Sequence, residues 1–84
     1  MPAMYEVVLQ FALAPRDVAQ YDRVTRVEEE LERPSLLYSL EGHDCTTGAM
    51  QIRLRTEDPQ RTLEAVSDLV PRRCSYAAEV VAVA

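Results

Sequence analysis

The chain has 84 residues, 14 of them acidic and 9 basic, for a formal charge of −5 and an isoelectric point near 4.7. An acidic surface repels phosphate backbones and anionic lipid, so neither nucleic acid nor a membrane is an expected partner. The length gives one domain that buries roughly 60–65% of its unfolded surface, and domains this small often gain stability by pairing, which makes a homodimer the expected state.

Every basic residue is an arginine. The arginines are scattered, which suits codon bias in a GC-rich genome better than bidentate carboxylate or phosphate binding. Two cysteines, Cys45 and Cys74, are too few for a disulfide framework, and two free thiols point to a reducing cytoplasm. Residues 1–14 are apolar but contain Glu6 and Gln10 and no basic stretch, so no signal peptide is expected.

Tyr5, Val7, Leu9, Phe11 and Leu13 alternate with Met4, Glu6, Val8, Gln10 and Ala12, which predicts a strand with one buried and one mixed face. After Pro15 the period lengthens. Tyr21, Val24, Val27 and Leu31 form a helical stripe flanked by Val18, which predicts a helix over 16–33 ended by Pro34. The opposite face offers the i,i+4 pairs Asp22–Arg26, Arg26–Glu30 and Glu29–Arg33. The acidic run from Glu28 to Glu32 reads as part of that solvated face.

Residues 35–41 predict a second strand, with Leu36, Tyr38 and Leu40 on one side. Residues 49–56 predict a third, with Met50, Ile52 and Leu54 opposed to Gln51, Arg53 and Arg55. These two strands form a hairpin. In Thr56-Glu57-Asp58-Pro59, Asp58 suits a helix N-cap and Pro59 the first helical position. Leu63, Val66 and Val70, with Leu69 beside them, form the stripe of a second helix closed by Pro71. Residues 73–83 predict a last strand, with Cys74, Tyr76, Ala78 and Val80 on one face and Ala77, Glu79, Val81 and Val83 on the other.

The order β-α-β-β-α-β predicts a ferredoxin-like α+β sandwich, a four-stranded antiparallel sheet in the order 4-1-3-2 with both helices on one face. The uncovered face is then half apolar. It sets Val8, Val81 and Val83 beside Arg53 and Arg55, as a dimer surface or the floor of a ligand site, with a cross-strand pair such as Glu6 with Arg53 as the alternative.

Both glycines, the only histidine and one cysteine fall in Gly42-His43-Asp44-Cys45-Thr46-Thr47-Gly48, expected to be the loop between the second and third strands. His43, Asp44 and Cys45 are metal-ligand types, but consecutive side chains diverge and the chain has no second histidine, so no metal site is expected. Cys45 with His43 lacks an orienting partner and an oxyanion hole, so no catalytic residue is assigned. No Gly-Lys-Ser/Thr follows the glycines, which rules out a phosphate loop. A structural loop remains, in which the glycines permit positive φ and the Asp44 carboxylate accepts from the N–H of Thr46 or Thr47. His43, Asp44, Cys45, Arg53 and Arg55 are the candidate ligand- or partner-binding residues. No cofactor is implied.

Gly42, Asp44, Gly48, Met50, Thr56, Asp58 and Pro59 also carry a resemblance. The stretch resembles a pattern in small uncharacterised bacterial proteins, Gly-x-Asp-x-Gly-x-Gly-x-Met, then a strand, then Thr-x-Asp-Pro opening a helix. Thr46 stands where that pattern has its middle glycine. The resemblance implies a ferredoxin-like fold and no activity.

Together these features predict a non-enzymatic homodimeric binding module. Two alternatives share its element order: an ACT-like domain sensing a small metabolite, and a small dimeric α/β-barrel enzyme using His43 and Tyr38. The turn 14–17 lacks the glycine that ACT-like ligand turns carry.

Overall fold

The computed structural model describes residues 3–14, 16–33, 35–46, 48–72 and 74–83. Expectations that involve Pro15, Pro34, Thr47 and Arg73 lie outside the described residues.

Strand β1 (Tyr5–Ala12) leads to helix α1 (Val18–Leu31), the hairpin β2 (Tyr38–Thr46) and β3 (Ala49–Thr56), helix α2 (Pro59–Leu69) and strand β4 (Tyr76–Ala82). The sheet order is β2-β3-β1-β4 with every neighbouring pair antiparallel, so the chain adopts the ferredoxin-like α+β fold. No helix among the described residues is long and apolar enough to cross a membrane.

The strand period of two sends Val7, Leu9 and Phe11 of β1 and Met50, Ile52 and Leu54 of β3 to one side of the sheet, where all six are buried. Val24, Val27 and Leu31 of α1 cover them, together with Val66 of α2 and Val70. At roughly 25 cal/mol per Å² of apolar surface, this one cluster is the main stabilising term. Tyr21 and Val18, expected on or beside the α1 stripe, are 48% and 70% exposed. The core therefore begins one turn later than the periodicity suggests.

Both helix starts have side-chain caps. Asp17 accepts from the Gln20 N–H at 3.0 Å, and Asp58 accepts from the Arg61 N–H at 3.1 Å with Pro59 in the first turn. The Thr56 hydroxyl donates to the Leu37 carbonyl at 2.7 Å and accepts from the Asp58 N–H at 3.0 Å. The Thr62 hydroxyl lies 2.9 Å from both Thr56 Oγ1 and the Asp58 carbonyl, which share its single proton. A buried Thr56–Thr62 pair thus ties the end of β3, the approach to β2 and the start of α2 together. That gives the Thr-x-Asp-Pro motif a structural role.

Three expectations are corrected. Residues 42–46 belong to a strand and not to a loop. Strand β2 runs through Thr46, which pairs with Ala49 of β3, and Gly48 just before Ala49 holds φ at 85°. Asp44 accordingly sits inside a strand, so it does not build an Asx turn. Leu36 lies before β2 and is fully exposed, because that strand starts at Tyr38. On α1, the ion pair found among the described residues is Arg33 with Glu30 at 3.2 Å and i,i+3 spacing, in place of the three i,i+4 pairs.

Candidate functional site

A register irregularity between Leu40 and Gly42 decides how β2 presents its chemistry. Two residues of β2, Glu41 and Gly42, face the single position Arg53 or its neighbour, which is the geometry of a β-bulge. Beyond the bulge the alternation resumes with shifted phase. His43 pairs with Ile52 and Cys45 with Met50, on the helix-covered side, while Asp44 pairs with Gln51 on the open side. The five candidate residues therefore divide. Asp44, Arg53 and Arg55 share the open face, and His43 and Cys45 turn toward the helices.

On the open face, Arg53 Nη1 lies 3.3 Å from Asp44 Oδ2, and Arg55 Nε lies 3.8 Å from Glu41 Oε1. The Ser39 hydroxyl donates to Glu41 Oε1 at 3.3 Å. Gly42 makes room for this arrangement: a Cβ there would sit 3.3 Å from Arg53 Nη2. The guanidinium crosses β2 at the glycine to reach Asp44, with its Nε buried and without a hydrogen-bond partner. The expected Glu6–Arg53 pair is not the cross-strand neighbour, because the register sets Glu6 opposite Arg55 and Val8 opposite Arg53.

Under the sheet, His43 meets a residue that the sequence reading placed in solvent. Glu28 of α1 is only 8% exposed, and its Oε2 lies 2.9 Å from His43 Nδ1. The contact is close but misses hydrogen-bond alignment, which leaves Oε2 a buried carboxylate oxygen without a hydrogen-bond partner. It is attractive when Nδ1 carries a proton. A signal for this burial was present in the sequence: positions 24, 27, 28 and 31 are spaced i, i+3, i+4, i+7, so Glu28 belongs to the apolar stripe by position and not by chemistry.

This pair puts a carboxylate beside the His43 ring, a neighbour that the sequence did not reveal. A general base needs such a carboxylate hydrogen-bonded to Nδ1, and here the contact is close without being a hydrogen bond. The rest of such a site is not assembled around it. Among the described residues, no three His, Cys, Asp or Glu side chains converge as a metal centre requires. Cys45 and Cys74 are both free thiols, Cys45 exposed and Cys74 half-buried.

The described surface has shallow grooves. One, of about 340 Å³, runs past Met4, Leu37, Tyr38 and Arg55 at the end of the sheet. Partial burial raises the Tyr38 phenol above its usual pKa, so it stays neutral over the physiological range. Tyr38 and His43 both lie on the helix side of β2, but Tyr38 is beside Thr56 and His43 beside Ile52, which separates them along the strand.

The open face carries Met4, Val8, Val81 and Val83 among its apolar groups. Val83 donates its N–H to the Met4 carbonyl at 2.9 Å, and Val81 stands opposite Glu6, diagonal to Val8. Val81 and Val83 are 42% and 43% exposed. In comparisons with known proteins, the chain matches no family model, no curated protein and no solved structure.

Proposed function

We propose that this protein is a non-enzymatic binding module that acts as a homodimer and offers its uncovered sheet surface to a protein partner or small ligand. The observation that carries this reading is the apolar surface left open around β4. Both helices pack on one side, and on the other Met4, Val8, Val81 and Val83 lie beside arginines already neutralised by Asp44 and Glu41. The total exposed area supports it. The chain exposes 5844 Å² at 9.5 kDa, where a folded monomer of that mass exposes about 5,000 Å². The surplus is on the order of the 800 Å² that each partner contributes to a standard interface. The molecule is elongated, 45 Å long and 18 Å thin.

The acidic charge disfavours nucleic acid as the partner. Two free thiols suit a reducing cytoplasm, and the motif resemblance suits a bacterial source. Sedimentation velocity at micromolar concentration tests the central reading. A dimer is expected, and a strict monomer retires it.

The Glu28–His43 pair favours a second reading, a small catalyst with His43 Nε2 as general base. An activated ester offered to the wild type and to His43→Gln distinguishes the two readings. Equal, background-level hydrolysis by both removes the catalytic reading.

A further inference from the structure

We infer that two copies of this chain join β4 to β4, antiparallel, about a two-fold axis through Val80, to make one continuous eight-stranded sheet. The inference rests on the homodimer reading and names the surface that forms the dimer.

The first observation is which backbone groups of β4 are free. Val83 N–H bonds to the Met4 carbonyl, and the register pairs Glu6 with Val81, Val8 with Glu79 and Gln10 with Ala77. In an antiparallel ladder, hydrogen-bonded and non-hydrogen-bonded pairs alternate. Residues 77, 79, 81 and 83 therefore direct their N–H and C=O groups to β1. Tyr76, Ala78, Val80 and Ala82 direct theirs away from the molecule, along the sheet edge.

The second observation is what surrounds those groups. Val80 is 41% exposed on the helix side, where α2 stops short of covering it, and Val81 is 42% exposed on the open side. From Tyr76 to Ala82 the strand holds one charge, Glu79, and no proline, glycine or bulge. Natural sheets block free edges with such devices. The other edge of this sheet has them: β2 carries the bulge at Leu40/Gly42 and the charged residues Glu41 and Asp44. One edge is closed to pairing and the other is open.

Charge and side-chain shape select the occupant and the register. An apolar strand with outward groups at alternate residues is complementary to an antiparallel copy of itself. A two-fold axis at Glu79 would give the longest overlap, but it opposes Glu79 to Glu79 in a close, non-hydrogen-bonded pair, about 4.5 Å between Cα atoms. An axis at Val80 removes that repulsion. It sets Val80 opposite Val80, Ala78 opposite Ala82 and Glu79 opposite Val81, and the β-branched Val80 pair is a favoured cross-strand contact. Each copy uses its single β4, so the assembly closes at two, with the protected β2 strands outermost. The two open faces merge, and the Val81 and Val83 groups of both copies form one apolar floor.

Sedimentation velocity on the wild type, Val80→Pro and Val80→Lys tests this. Val80 N–H points away from β1, so proline there leaves the chain's own ladder intact, while lysine places like charges on the axis. In a Cys45→Ser, Cys74→Ala background, Val80→Cys should form an intermolecular disulfide, since an opposed hydrogen-bonded pair lies about 5.5 Å apart at Cα, inside the usual disulfide range. Ala78→Cys in the same background should stay reduced. The expected result is a wild-type dimer, monomeric Val80→Pro and Val80→Lys with unchanged circular dichroism, and a cross-link only from Val80→Cys. A dimer that survives both Val80 substitutions, with Val80→Cys staying reduced, overturns β4 pairing and leaves the homodimer reading standing. A wild-type monomer at every concentration overturns both.

Discussion

The two edges of the sheet, β2 and β4, are built on opposite principles. Along β2 the two carboxylates and the histidine each meet a partner of opposite kind. Glu41 meets Arg55, Asp44 meets Arg53, His43 meets Glu28, and Gly42 makes room for the Arg53 guanidinium. Along β4 one aromatic contact, Tyr76 on Phe11 with ring centroids 5.5 Å apart, secures the beginning of the strand, and alanines and valines follow with Glu79 as the one charge. The difference teaches where this chain places its ionisable groups. They cluster along β2, and β4 carries one charged residue, Glu79, which is the contrast that the proposed β4 pairing rests on.

That contrast separates stability from association, and substitutions can break it. The largest effect is expected from Tyr76→Ala. It removes the aromatic anchor of β4 and should cost about 2–3 kcal/mol of folding stability, read by urea unfolding. The dimer should weaken with it. Equal dimer affinity in the variant would disconnect the anchor from the interface.

His43→Ala comes next. It leaves the Glu28 carboxylate buried without its partner and should destabilise by about 1–2 kcal/mol, a figure kept low because the imidazole is half exposed. Adding Glu28→Gln should recover part of the loss, because the uncompensated charge goes with it. Neither change should alter sedimentation, since both act on the β2 side. A shift to monomer in His43→Ala would erase the distinction between the edges.

Gly42→Val should cost about 1 kcal/mol, because Gly42 holds φ at 157° and the new side chain displaces Arg53 from Asp44. Arg53→Ala in the Gly42→Val background should then add little, which a double-mutant cycle reads directly.

The smallest effect concerns alkaline pH. Burial raises the Tyr38 phenol above its usual value of 10.0, so the folded chain holds that proton more tightly than the unfolded chain. The corresponding stability is present below that value and is lost as pH rises through the folded pKa. Tyr38→Phe should flatten the alkaline decline in melting temperature, and an unchanged decline would assign it to other groups.

Much of the fold was legible because local rules set it. The period change at residue 14, the cap at Asp58 with Pro59 behind it, and the alternation of Met50, Ile52 and Leu54 each depend on neighbours within one element. The candidate site was less legible, since two long-range events shaped it. The bulge after Leu40 inverts the phase of β2, so His43 and Cys45 face the helices and Asp44 faces the open side. No composition signal fixes a bulge between a Glu and a Gly. The Glu28–His43 contact joins α1 to β2, and a charged residue in an apolar stripe announces burial only once its partner is known. Thr62 is a similar case: it is fully buried at the position four residues before Val66, satisfied by the Thr56 hydroxyl across the β3–α2 junction.

Amide hydrogen exchange along the two edges tests the central claim most directly. If β4 pairs with a second β4, the outward N–H groups of Ala78, Val80 and Ala82 are protected at micromolar concentration and lose that protection on dilution to the monomer. Fast exchange at those three amides, in a sample that sediments as a dimer, would contradict it.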